Sequence, residues 1–387
     1  MKLLIVPSWY PTALHPESGS FFRDQAQILK NSGIDAVVAA PVMHSLKDVF
    51  RLKNNNQIQF YSKAVVPTYL FEFSNYYPKL EKLQYARYKK NALFMIENVI
   101  KKNGAPDVIF VHSSIWAGAA LTEICDQLDI PLIISEHLKE FIVFDGLSKL
   151  KKTLVENTYE FCSAIIATSS ALRNSIVNIF PNAKSKISII PNPVDEEIFI
   201  QKDKKVKKGC FSIICLALFR PEKRLDLVIQ SFYELIQSGE NAKLIIVGDG
   251  PLKHELINHI KNLDLSDFIK LKGYLSQNQI VKELHNNDIF ISASDVETFG
   301  VALIEAQACG LPVVSTNCGG PSDIISSETG ILVNSGSSKE LTKALIKMMD
   351  SINNYKPEII RKKTIDQFGK LVYADAIRDL INNNIMK

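Results

Sequence analysis

Glu297 and Glu305 bracket a short segment whose residue types suit a bound phosphate. The sequence runs Asp295-Val296-Glu297-Thr298-Phe299-Gly300-Val301, and the stretch from Val301 to Ala308 reads as a helix ended by Gly310 and Pro312. Glu297 would lie just before that helix and Glu305 in its second turn. The first N–H groups of a helix have no intrahelical partner and carry partial positive charge. Phe299, Gly300 and Val301 can therefore offer amides to an anion. A carboxylate on either side can accept hydroxyl protons from sugars, so the layout suits a nucleotide-sugar, with the diphosphate on the amides. The plainer alternative is an N-terminal capping acid followed by a solvated helix Glu.

A second segment adds cations. Phe219-Arg220-Pro221-Glu222-Lys223-Arg224 follows an apolar run and precedes a helix opened by Asp226. Arg220, Lys223 and Arg224 at such a turn can neutralise a diphosphate. Gly248 in Gly248-Asp249-Gly250-Pro251 lets a ligand approach the backbone closely. Gly319-Gly320, again after an apolar run, can present amides to an anion or sugar. In the first half, Ser18-Gly19-Ser20 is a small-residue loop before a helix that starts near Phe21, a further phosphate candidate. His137 follows an apolar run directly, where a ligand-facing role is expected.

Other chemistries are disfavoured. No GxGxxG, Walker A, HExxH or GxSxG sequence is present. No Asp-x-Asp sequence is present, the residue two after Asp295 being Glu297, and the six cysteines form no CxxC pair, so neither a metal nor a cofactor is expected. Scattered cysteines point to reduced thiols and a cytoplasmic protein.

These loops need elements to hold them. Short apolar runs fall at 3–6, 36–40, 108–111, 132–135, 165–168 and 187–190, then at 212–218, 244–247, 269–271, 289–292, 313–315 and 331–333. Runs that are apolar throughout suit parallel strands covered on both faces, and their alternation with helical patterns predicts doubly wound α/β sheets. Twelve strands over 387 residues predict two domains. The expected division is 1–195, 196–365 and a last helix over 366–387 that returns to the first domain. A Lys-rich stretch at 201–209 reads as a solvated linker, and 364–385 has continuous helical spacing. Ligands of open parallel sheets sit beyond the carboxyl ends of the strands, so the loops above would face a cleft between the domains. The net charge of +4 over 45 basic and 41 acidic residues argues against nucleic acid as a partner. No apolar run reaches the ~18 residues of a membrane-spanning helix.

Taken together, these residues resemble the GT-B retaining glycosyltransferases of family GT4. The resemblance rests on Glu297 and Glu305 with Phe299-Gly300 and Gly310-Leu311-Pro312 between and after them. Gly248 to Pro251, Pro191-Asn192, Gly319-Gly320 and the opening Trp9-Tyr10-Pro11 with Ser18-Gly19 and Phe22 add to it. It implies two Rossmann-like domains and transfer of a sugar from a UDP- or GDP-sugar to a hydroxyl of a glycan or lipid-linked glycan, in bacterial surface polysaccharide synthesis. It implies that Glu297 holds the donor sugar, Glu305 the ribose and Lys223 the diphosphate. Gly19 would lie near that diphosphate, His137 near the reacting end of the donor sugar, and Asn192 between the domains. Where family members carry Arg five residues before the motif Lys, this chain has Leu218, so Arg220 or Arg224 would supply the second charge. A UDP-sugar 2-epimerase or a nucleotide-sugar-binding protein without turnover is the alternative on the same fold.

The stretch 69–102 combines Tyr69, Phe71, Phe73, Tyr76, Tyr77, Tyr85 and Tyr88 with Lys79, Lys82, Arg87, Lys89 and Lys90. It reads either as a helical hairpin with a solvated basic face or as a surface resting on the inner face of an anionic membrane.

Overall fold

The computed structural model describes residues 1–16, 18–51, 57–62, 64–143, 146–201 and 209–385. Most of the expected linker, residues 202–208, lies outside them. The chain forms two compact units. The first is Met1–Thr168 with Leu172–Ile190 and Tyr373–Lys387; the second is Pro191–Val372 with Ser169–Ala171.

The first unit is built on eight strands: β1 Lys2–Pro7, β2 Asp35–His44, β3 Ile58–Tyr61, β4 Thr68–Ser74, β5 Val108–His112, β6 Leu132–Glu136, β7 Ala164–Ala167 and β8 Ile187–Ile189. Their order in the sheet is β3-β4-β2-β1-β5-β6-β7-β8, all parallel except β3, which runs antiparallel to β4. Strand β1 explains why the sheet is covered on both faces. Leu4 and Val6 enter one apolar cluster with Tyr88, Met95 and Ile96. Leu3 and Ile5 enter the other with Phe22, Leu29, Tyr373 and Ile377, the two-residue alternation of a strand feeding both layers.

The second unit holds β9 Phe211–Leu216, β10 Ala242–Val247, β11 Ile269–Leu271, β12 Ile289–Ser292, β13 Val313–Thr316 and β14 Gly330–Val333. The order is β11-β10-β9-β12-β13-β14, parallel throughout. Ile213 and Cys215 of β9 pack under the helix Leu225–Gln237, while Ile214 packs on the opposite face with Leu303 and Ile304 of the helix Val301–Ala308.

Strand order reverses between β1 and β5 in the first unit and between β9 and β12 in the second. At each reversal the loops leaving the two strands diverge and open a crevice at their carboxyl ends. Lys223 follows β9 and Glu297 follows β12; in the first unit the Ser18-Gly19 loop follows β1, and His112 ends β5.

Two expectations are corrected. The aromatic stretch is no helical hairpin: its start is strand β4, and a single helix, Glu81–Asn103, follows. Tyr69, Phe71, Phe73 and Tyr88 are buried. Burial of such a side chain is worth roughly 1.5–3 kcal/mol, which outweighs any surface role for those four. The last segment is two helices, Pro357–Phe368 and Lys370–Ile385, separated at Gly369 by extended backbone (φ −67°, ψ 160°).

Candidate active site

In the second unit the ammonium of Lys223 meets the carboxylate of Glu297 at 2.5 Å, Nζ to Oε1. Ser294 Oγ donates to the same Oε1 at 2.9 Å. Both bonds fall on one oxygen, which leaves Oε2 to accept from a ligand. Burial alone would lower the Lys223 pKa, but the adjacent Glu297 carboxylate overrides it and the net shift is upward, so the ammonium stays charged across the working range.

Backbone contacts fix this pair. Thr316 Oγ1 donates to the Ser294 carbonyl at 2.6 Å. Glu297 N–H donates to the Cys318 carbonyl at 3.1 Å, and the Glu297 carbonyl accepts from Gly320 N–H at 2.9 Å. The Gly319-Gly320 loop therefore lies directly against the Glu297 segment. A Cβ at Gly320 would stand 2.3 Å from Phe299 Cα, so only glycine permits the approach. Gly248 is held the same way: φ is +142°, and a Cβ would stand 1.9 Å from the Ala217 carbonyl oxygen.

The helix Val301–Ala308 starts at Gly300, which has φ +115° and makes no side-chain cap. Among the described residues the amides of Gly300, Val301 and Ala302 have no hydrogen-bond partner. Phe299 is buried and packs edge-on against Phe368, 5.5 Å between centroids, so its ring is taken up by the core. Glu305 is half-buried in the same helix.

The two arginines differ. Arg224, in left-handed backbone (φ 45°), is clamped by Asp226 at 2.9 Å and Asp295 at 3.1 Å. Its charge is already answered. Arg220 is exposed and, among the described residues, has no ion pair.

In the first unit Gly19 (φ +69°) precedes the helix Ser20–Asn31, and a Cβ there would stand 2.8 Å from the Trp9 carbonyl oxygen. That helix start carries Phe21 and Phe22, whose rings lie 5.4 and 4.9 Å from the ring of His137. Gly19 and His137 are thus neighbours through two aromatic side chains. Ser18 belongs to the same turn, its N–H donating to the His15 carbonyl at 3.2 Å. Asn192 is buried in the second unit.

His137 has a partner with no motif to announce it. Its Nε2 lies 3.1 Å from His112 Nδ1 and 3.0 Å from Ser135 Oγ. The other His112 nitrogen, Nε2, is buried without a partner, between the stacked ring of Phe22 and the edge of Phe110. An orphaned buried N–H is rarer than an orphaned acceptor. His112 therefore carries its proton on Nδ1 and donates to His137 Nε2, which puts the proton of His137 on Nδ1. Burial holds both rings neutral: His137 falls to about 3 and His112 lies well below its ordinary value. Beneath them Glu136 accepts from Ser114 N–H at 3.0 Å and Tyr159 OH at 2.8 Å, and burial raises its pKa.

Two doubly wound units, with a cation and carboxylate at a strand-order reversal and an uncapped helix start beside them, make this a glycosyltransferase of the GT-B fold. The chain belongs to family GT4 of these enzymes. The family model described as "Glycosyl transferases group 1" matches residues 196–364, and "Glycosyltransferase Family 4" matches 73–198. An N-acetyl-alpha-D-glucosaminyl L-malate synthase of Bacillus anthracis is 26% identical over 300 residues, 72% of this chain and 77% of that one. The putative teichuronic acid biosynthesis glycosyltransferase TuaC of Bacillus subtilis is 24% identical over 93% of this chain and 92% of its own. Among solved structures, the Anabaena protein HepE with UDP and glucose has a TM-score of 0.76 at 17% identity, covering 99% of this chain and all of its own. The sucrose-phosphate synthase of Thermosynechococcus elongatus scores 0.79 at 15% identity, with 99% of each chain covered.

Proposed function

We propose that this glycosyltransferase moves a hexosyl or N-acetylhexosaminyl group from a nucleoside-diphosphate-sugar, UDP- or GDP-linked, to a hydroxyl of a glycan or lipid-linked glycan, with retention of anomeric configuration. The observation that carries the reading is the Lys223–Glu297 pair beside the unpartnered amides that start the helix Val301–Ala308. The relatives named for N-acetylglucosaminyl and teichuronic acid chemistry, and the neighbour solved with UDP and glucose, support the donor and polysaccharide classes.

The chemical task is to hold charge on a departing diphosphate while the sugar becomes cationic. Lys223, the exposed Arg220 and the helix amides supply fixed positive potential, the preorganised electrostatics that lower such barriers. Arg220, not Arg224, is the second cation in this reading, because Asp226 and Asp295 already occupy Arg224. Asp295 is correspondingly committed to Arg224, which favours a diphosphate site run by cations and amides without a metal. Glu297 Oε2 would accept from the donor sugar, and Glu305 from the ribose. His137, neutral, would donate from Nδ1–H to the donor sugar. Ser18, Gly19, Gly248, Gly319, Gly320 and Asn192 would shape the backbone around donor and acceptor. The leaving phosphate would take the acceptor proton, so no dedicated base is needed.

In this reading the acceptor would be met at the cytoplasmic face of a membrane. No helix among the described residues is long and apolar enough to cross one. Support comes from the exposed group Tyr76, Tyr77, Leu80 and Leu83, interleaved with Lys79 and Lys82, a mixture that suits anionic lipid headgroups.

The test is NMR of UDP- and GDP-sugars incubated with the protein and a polyisoprenoid-linked glycan. Donor consumption with an α-linked product from an α-linked donor is expected. Binding without turnover, or release of an epimerised free sugar, would overturn the assignment. Sedimentation with anionic vesicles at low salt, absent for neutral ones, tests the membrane contact separately.

A further inference from the structure

We propose that His15, His44 and Asp48 of the first unit form a site for one divalent transition-metal ion of the zinc type. One ligand atom from each residue lies within 4.8 Å of the others, although the three come from two separate stretches of chain. His15 sits in the turn after β1. Its N–H donates to Thr12 Oγ1 at 3.2 Å, and its carbonyl accepts from the amides of Thr12 and Ser18. His44 is the last residue of β2, and Asp48 lies in the 3-10 turn that follows, Leu46–Arg51.

The donor set selects the ion. Two imidazoles and a carboxylate suit zinc, whereas magnesium and calcium take all-oxygen shells. Spacing agrees. His15 Nε2 stands 3.4 Å from Asp48 Oδ2, longer than a charge-assisted hydrogen bond of ~2.7–2.9 Å. Metal bonds of ~2.0–2.1 Å in a tetrahedron put neighbouring donor atoms ~3.3–3.4 Å apart. Three protein ligands leave a fourth position for water.

An outer layer of partners supports the same reading. Glu72 Oε1, on the adjacent strand β4, lies 2.8 Å from Nε2 of the buried His44. That contact leaves His44 Nδ1 as the nitrogen for a metal, and a carboxylate behind an imidazole is the arrangement that orients metal-binding histidines. Ser45 Oγ donates to Asp48 Oδ2 at 2.6 Å and holds that carboxylate in place. A bound ion would tie the turn that runs into Gly19 to the end of β2. All its ligands belong to the first unit, and none of the three takes part in the function proposed above.

Metal-stripped protein titrated with Co2+ tests this directly. One ion per chain is expected, with the intense visible absorption of four-coordinate cobalt, lost on adding Zn2+. Zinc binding followed by calorimetry gives the affinity. His15→Ala and Asp48→Asn each weaken binding at least tenfold, and Glu72→Gln weakens it roughly 10- to 100-fold. His15 is 43% exposed, so its variant keeps the fold, checked by circular dichroism. His259→Ala, on a helix of the second unit, leaves binding unchanged. No cobalt band, or one-ion binding that survives unaltered in either His15→Ala or Asp48→Asn, overturns the site.

Discussion

Lys223 and Glu297 come from loops 74 residues apart in the chain and share a 2.5 Å contact where strand order reverses in the second unit. An ammonium already bonded to a carboxylate is aimed before any ligand arrives. Lys223→Ala should lower the rate of donor turnover by about 10²–10³, and Glu297→Gln should lower it comparably, with the fold kept. Because the two groups act together, the double variant should lose less than the sum of the single losses in free energy. Initial rates by NMR check this; near-normal rates in both single variants would remove the pair from the site.

Arg220 and Arg224 should separate cleanly. Arg220→Ala removes an unanswered cation and should weaken UDP binding roughly 10- to 100-fold, the range of a charge-assisted contact. Arg224→Ala should leave UDP binding within about threefold and change stability by less than ~1 kcal/mol, as partly exposed ion pairs do. Calorimetric titration with UDP and urea unfolding measure the two effects. The reverse ranking for UDP would hand the role to Arg224.

Gly248→Ala sets a new methyl 1.9 Å from a backbone oxygen, which no rotamer can relieve. It should destabilise by at least about 3 kcal/mol. Gly239→Ala is the comparison: φ is +91°, but nothing lies within 4 Å, so only the ~1–2 kcal/mol of left-handed backbone is lost. Equal melting shifts for the two would show that the close approach at Gly248 is relaxed in solution.

The histidine pair makes a spectroscopic and a pH prediction. Long-range ¹H–¹⁵N spectra near neutral pH should show His137 protonated on Nδ1, and His112→Leu should release that preference while His112→Asn, which keeps a donor, preserves it. Both folded-state pKa values lie below the unfolded ones. The unfolded chain therefore takes up protons first as pH falls below about 6.5, and stability is lost from there down toward the folded value. Each ring contributes up to about 1.4 kcal/mol per pH unit. Urea unfolding of His137→Asn should show a correspondingly shallower slope; an unchanged slope would mean that His137 is not buried as a neutral ring.

Strands such as β1, β5 and β12 were legible because they are apolar on both faces, which little else in a chain imitates. Strand β4 was not: Glu72 interrupts it, and its aromatic residues read equally well as surface. The break at Gly369 is hidden because Phe368 and Leu371 continue a helical period across it. Lys223, Glu297 and the start of the helix at Val301 stood out through residue type and the punctuation of Gly and Pro. His112 gave no such signal. It matters through its ring contact with a histidine 25 residues on, set by the pairing of β5 with β6, and no local pattern encodes that neighbour.

The helix Lys370–Ile385 places Tyr373, Ala374, Ile377 and Ile381 in the core of the first unit, beside Phe22 and Leu29. The amino-terminal half of the chain thus waits for the residues from Tyr373 onward before its last layer can close. On the ribosome the second unit has all its strands while the first still lacks a wall, so assembly finishes where translation began. A premature stop just before Tyr373 would spare the later-made lobe and leave the earlier one with an open apolar seam.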